Sequence, residues 1–96
     1  MPRLRTHPGE ILREEYLAPL GLSAAALARA LGVPGNRISD ILRQRRDVSA
    51  DTAIRLGKFF GVDPRFWLNL QTAYDLSLAE QSHDYSGIPR RKERAA

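Results

Sequence analysis

The chain contains no cysteine, which excludes disulfides, thiolate metal sites and cysteine nucleophiles. No apolar run approaches the roughly 18 residues that a bilayer span requires. Gly9, Glu10, Arg13, Glu14 and Glu15 stand where a secretory leader needs its apolar stretch, so the sequence predicts a cytosolic protein with no membrane partner. Strand signals are missing too: there is no alternating β-branched run and no Asn-Gly or Asp-Gly hairpin turn. Histidine is scarce, with His7 and His83 near opposite ends. His7 lies at helical spacing from Glu10, but there is no second histidine at ligand spacing, no HExxH, no phosphate loop and no serine with a plausible histidine base near it in sequence. Neither a cofactor nor catalysis is expected, and a structural zinc has almost no ligands to use.

What remains is a short chain rich in helix punctuation. Its 96 residues suit one compact domain, and 43% hydrophobic residues are enough for a core. Of the net charge of +4, residues 90–94 contribute +3, from four cations and one anion. The rest is nearly balanced, so an anionic partner must be met by local clustering of arginine.

The punctuation predicts five helices and an all-α fold. Pro8 opens the first, with Ile11, Leu12 and Tyr16 at helical spacing until Pro19 and Gly21 break the pattern. Ser23 caps a second over 24–31, stopped by Gly32. Pro34 suits the first turn of a third, running to about Arg43. Ser49 caps a fourth over 50–60, closed by Gly61. Asp63 and Pro64 open a fifth, carried by Phe66, Trp67, Leu70 and Tyr74 to about Gln81. Residues 1–82 thus read as one domain ending in a dimerisation helix over about 63–81. Residues 83–96 read as a basic, frayed tail. That tail is either an arm attracting phosphate nonspecifically or an inert terminus.

The second and third helices carry the pattern of a helix-turn-helix. Counting from Ala24, the small Ala28 is fifth, where crossing helices leave no room. Gly32 is ninth, at a turn that needs positive φ. Leu27, Leu31, Val33, Ile38 and Ile41 supply the apolar positions that fasten the pair to each other and to the core. Each feature alone is common; their conjunction is specific. The third helix is then expected in the major groove of duplex DNA. Asn36 and Arg37 become the candidate base readers, because asparagine matches adenine bidentately and arginine matches guanine. Ser39 and Arg43 lie nearby, and Ser23 at the start of the second helix joins them as a candidate contact. Arg43, Arg45 and Arg46 cluster where a phosphate grip is natural. Asp40 would repel phosphate; it accepts from a cytosine or pairs with Arg37, Arg43 or another neighbour. The competing readings are an ordinary solvated arginine face, a capping role for Asn36 and an Arg37–Asp40 pair.

These residues resemble the HigA-type antitoxins, a branch of the Xre/phage-repressor helix-turn-helix family. The resemblance runs from His7-Pro8-Gly9-Glu10-Ile11-Leu12 through Leu27-Ala28, Leu31-Gly32-Val33-Pro34 and Asn36-Arg37-Ile38. It continues with Asp51-Thr52-Ala53, Arg55-Leu56 and Phe60-Gly61. Phe66-Trp67-Leu68-Asn69-Leu70-Gln71 and Tyr74-Asp75-Leu76 are its most specific blocks. It implies a five-helix fold, a homodimer on a palindromic operator, and a RelE-like HigB toxin that cleaves mRNA. The antitoxin would neutralise that toxin and repress the shared operon. Two departures stand out. Gln44 occupies a position often held by glycine, where a left-handed backbone costs about 1–2 kcal/mol and would favour a different turn. Gly35 stands where relatives often carry a side chain; it removes a possible base reader but permits close backbone approach to DNA.

Phe66, Trp67, Leu70 and Tyr74 amount to more aromatic surface than one short helix readily buries in its own core. Part of it is expected to form a self-complementary dimer contact that spaces the recognition helices about 34 Å apart. Burial inside the chain is the competing reading. The acidic face of the first helix, Glu10, Glu14 and Glu15 with Arg13, either meets a basic ribonuclease or is simply solvated. A stand-alone Xre repressor without a toxin remains an alternative. So does an interaction module whose helix-turn-helix no longer binds DNA, which Gly35 and Asp40 keep open.

Overall fold

A computed structural model describes residues 4–92 of the chain. Among these the regular structure is entirely helical, in five segments. Helix α1 begins at Pro8–Ile11, widens into a π-helical stretch over Leu12–Leu17 and closes at Ala18–Leu20. Helices α2 (Ala24–Leu31), α3 (Gly35–Leu42), α4 (Ala50–Phe60) and α5 (Pro64–Ser82) follow.

Four of the five start signals act as the sequence predicts, and Pro8 opens α1 as its first residue. Ser23 Oγ accepts the Ala26 N–H at 3.1 Å and Ser49 Oγ the Thr52 N–H at 3.3 Å. Asp63 Oδ1 accepts the Arg65 N–H at 2.8 Å. Pro34 differs: it stands at the N-cap of α3 in extended conformation, so the helix starts one residue later. Pro19 does not end α1 either. It has no N–H and its ring crowds the carbonyl four residues back. The preceding coil is wide, the Ala18 N–H reaching back to the Arg13 carbonyl, and a wide turn loosens that crowding. Gly21, at φ 62°, then stops the helix.

The core is one cluster with a residue or more from every helix. Leu12 and Leu17 of α1 meet Leu27, Ala28 and Leu31 of α2, Ile38 and Ile41 of α3, Ala53 and Leu56 of α4, and Trp67 of α5. Tyr16 ties the opposite face together, its ring 4.8 Å from Phe60 and 5.1 Å from Trp67. The backbone of α1 approaches α3 so closely that a Cβ at Gly9 would overlap the Ile41 carbonyl oxygen. Only glycine fits there.

His7, weighed in the sequence as a lone candidate ligand, is instead the cap of α1. Its Nδ1 accepts the Gly9 N–H at 2.9 Å, and its buried ring meets Tyr74 edge-on at 4.9 Å. Burial pushes its imidazole below the ordinary pKa of 6.5, against the opposing pull of Asp47 and Asp75. No described helix is long and apolar enough to cross a membrane.

Candidate nucleic-acid interface

The turn between α2 and α3 is built by Gly32, whose φ of 73° lets the chain leave α2 at once. The Val33 N–H returns to the Ala28 carbonyl at 3.0 Å, closing the C-terminus of α2. Ile38 and Ile41 bury one face of α3 completely, so the opposite face is committed to solvent.

Both ends of α3 are pinned by arginines. At its start, Arg37 Nη1 donates to Asp51 Oδ2 of α4 at 2.7 Å. Arg55 Nε donates to the same oxygen at 3.0 Å, and Arg55 Nη1 donates to the Leu31 carbonyl at the end of α2 at 2.7 Å. Hydrogen bonds from Arg55 and then Arg37 hold the Asp51 carboxyl below its ordinary pKa of 3.8. At the far end, Arg13 Nη2 of α1 donates to the Leu42 carbonyl at 2.9 Å. The helix presented to solvent is therefore bonded to α4 at one end and α1 at the other, and α4 is in turn bonded to α2.

The candidate DNA-facing residues fall on this frame as follows. Asn36 is exposed and its amide caps nothing, so the capping alternative does not hold. Arg37 is half-buried and pairs with Asp51; the Arg37–Asp40 alternative does not hold. Asp40 faces Arg46 at 3.7 Å instead. Ser39 is half-buried, its hydroxyl directed at the Asn36 carbonyl at 3.4 Å. Ser23 is exposed at the start of α2, with its oxygen engaged as the cap. Arg43 and Arg45 are exposed and have no carboxylate partner among the described residues. Gln44 takes the left-handed conformation at φ 62° despite its side chain, so the turn after α3 is kept rather than replaced. Gln44 N–H bonds the Ile41 carbonyl at 2.9 Å and Arg45 N–H the Asp40 carbonyl at 2.8 Å, which fixes that turn.

The candidate dimer residues divide. Trp67 is a correction: its side chain is fully buried in the chain's own core, so it offers nothing to a partner. Its indole N–H has no hydrogen-bond partner there. Phe66 remains exposed and Leu70 half-buried, and with Ile11, Glu15 and Tyr16 they line an open groove between α1 and α5. Tyr74 is half-buried against His7. Sequence reasoning missed Leu76 and Leu78, exposed at 59% and 42%. It also missed Gln71, buried on the inner face of α5, and passed over the pairing of Asp51. The four-residue spacing of Asp51 and Arg55 was the available signal for that pairing. Residues 83–92 are exposed throughout, with one turn in which the Ile88 N–H meets the Tyr85 carbonyl at 3.0 Å. The end of the expected basic tail, Arg94 included, lies outside the described residues.

Comparison with known proteins identifies this frame. The helix-turn-helix family HTH_3 matches residues 12–67. Virulence-associated protein I of Dichelobacter nodosus is 64% identical over 75 residues, spanning 78% of this chain and 69% of that one. The chain belongs to the Xre-type helix-turn-helix family, in the branch of the HigA antitoxins. Among solved structures, the antitoxin GraA in complex with its operator superposes with a TM-score of 0.90 at 51% identity, over 98% of this chain and 97% of that one. The Pseudomonas aeruginosa antitoxin HigA with the higBA promoter gives a TM-score of 0.79 at 44% identity, over 91% and 100% of the two chains. Both neighbours carry DNA in those structures, and both share the all-helical frame on which α3 is mounted.

Proposed function

We propose that this chain is a sequence-specific DNA-binding antitoxin that represses its own operon as a homodimer. The observation that carries this reading is the solvent face of α3 and its following turn: Asn36, Arg43 and Arg45 exposed and unspent, on a helix whose other face is buried and whose ends are pinned. In the major groove, Asn36 and Arg37 read base edges, with Ser39 beside them. Arg43, Arg45 and Arg46 hold phosphate, and Ser23 contacts the backbone at the start of α2. The operator-bound neighbours support DNA binding by this frame.

Dimerisation uses α5. Phe66, Leu70, Tyr74 and Leu78 follow at four-residue spacing and form one ridge, of which Phe66 and Leu78 stay 36% and 42% exposed. Two such ridges pack across a two-fold axis, which matches a palindromic operator. The domain boundary falls after α5, near residue 82, and residues beyond it add attraction to phosphate. The partner toxin is a RelE-like ribonuclease encoded beside this chain, and the acidic face of α1 suits its basic surface.

The test is binding of the purified protein to the DNA upstream of its own gene, against a scrambled duplex of the same length. A specific shift supports the reading; equal binding to both sinks it. Sedimentation of Phe66→Glu together with Leu78→Glu should shift the protein to monomer. Co-expression with the adjacent open reading frame should yield a complex if the toxin is its partner.

A further inference from the structure

Arg37 differs from Arg43 and Arg45, the cations of the recognition face that have no carboxylate partner among the described residues. Arg43 and Arg45 extend freely into solvent, whereas Arg37 is only 29% exposed and tethered by one nitrogen, Nη1, to Asp51. The tether is itself anchored. Asp51 Oδ2 also accepts from Arg55 Nε, and the Arg55 guanidinium holds the Leu31 carbonyl at 2.7 Å. A chain of bonds thus runs from the end of α2, through the first turn of α4, to the first turn of α3.

We propose that Asp51 is a positioning residue for base recognition, holding Arg37 by Nη1 so that its Nε–Nη2 edge faces the DNA. This rests on the reading that α3 enters the major groove. The chemistry is specific. A guanidinium has five N–H donors in a rigid fork, and using one of them on Nη1 leaves Nε–H and Nη2–H as a parallel pair. That pair matches guanine O6 and N7. A long side chain already fixed at one nitrogen also loses less freedom when it binds. The anion that fixes it sits on α4 rather than on α3, so it orients Arg37 without standing on the DNA-facing surface of the recognition helix. The opposite arrangement, in which Asp51 competes with DNA for Arg37, predicts the reverse sign.

Selection from a pool of randomised duplexes separates these cases, using the full chain, Arg37→Ala, Asp51→Asn and Asp51→Glu. Wild type should enrich guanine at one position of each half-site, and Arg37→Ala should lose that preference alone. Asp51→Asn should weaken it about tenfold at the same position, within the range of one bidentate base contact, with the other positions unchanged. Asp51→Glu, which keeps the charge one methylene further out, should recover part of it. Leu56→Ala serves as the control for a purely structural loss, because it lowers the melting temperature and should leave the base preference intact. An Asp51→Asn protein that keeps the full guanine preference, or binds more tightly, overturns the positioning role while leaving DNA recognition standing. If wild type enriches no sequence at all, the DNA-binding reading falls and the positioning role falls with it.

Discussion

The Gln71 side-chain carbonyl accepts the Val48 backbone N–H at 2.8 Å, joining α5 to the loop that follows the recognition helix. The Gln71 amide donates onward to Asp47 at 3.2 Å and to Asp75 at 2.9 Å. Removing the acceptor strands a buried N–H, so Gln71→Leu should cost roughly 1–3 kcal/mol. Trp67, the single tryptophan, is buried in the same core and reports the melt by fluorescence. A melting temperature within a degree or so of wild type would show that the loop finds another partner.

Gly9 and Gly35 make opposite predictions. A Cβ at Gly9 meets the Ile41 carbonyl, a backbone atom that can yield only by moving α1 off α3. Gly9→Ala should therefore destabilise the fold by about 1–3 kcal/mol, as overpacking does. A Cβ at Gly35 meets nothing within 4 Å, so the fold itself does not demand glycine there. Gly35→Ala should stabilise by about 0.4–1 kcal/mol through the unfolded state. If the backbone at Gly35 also approaches DNA closely, the same variant binds its operator less tightly, and calorimetry paired with a binding titration reads both effects.

Gln44 holds a left-handed backbone at φ 62°. Glycine has no Cβ to strain there, and relief of about 1–2 kcal/mol is partly offset by the entropy that glycine adds to the unfolded chain. Gln44→Gly should stabilise by about 1 kcal/mol in urea denaturation. A loss of stability would mean that the Gln44 side chain makes a compensating contact.

His7 gives the fold a pH dependence of known sign. Its folded pKa lies below 6.5 because the ring is buried, so between the two values the unfolded chain binds more protons. Its contribution is present in full above 6.5 and is lost as the pH falls through the folded pKa. Denaturation midpoints should therefore decline from pH 7 toward pH 5. His7→Asn keeps a capping side chain without the titration, and its midpoint should decline less over that range.

Much of the frame was legible because its signals are local. Ser23, Ser49, Gly32 and Gly61 mark helix ends by chemistry that acts within a few residues, and α2 and α4 begin and end where those residues predict. The buried positions of the helix-turn-helix were legible for the same reason, since helical spacing alone assigns Leu27, Leu31, Ile38 and Ile41 to one side. Pairings across helices were not. Arg37 chose Asp51, fourteen residues away, over Asp40, which was closer in sequence but turned toward Arg46. Trp67 read as surplus surface because nothing in α5 alone reveals that Tyr16 of α1 closes over it. Helical periodicity orients a residue on its own helix; it does not say which neighbour arrives opposite.

The most direct test of the central claim is equilibrium binding to the DNA upstream of the gene across a salt series, for wild type, Arg37→Ala and Arg45→Ala. Arg37→Ala should weaken specific binding by about 1–3 kcal/mol, and Arg45→Ala should lower the salt slope by about 1 with specificity retained. Wild-type protein that binds this DNA no tighter than random sequence at every salt concentration would contradict the account.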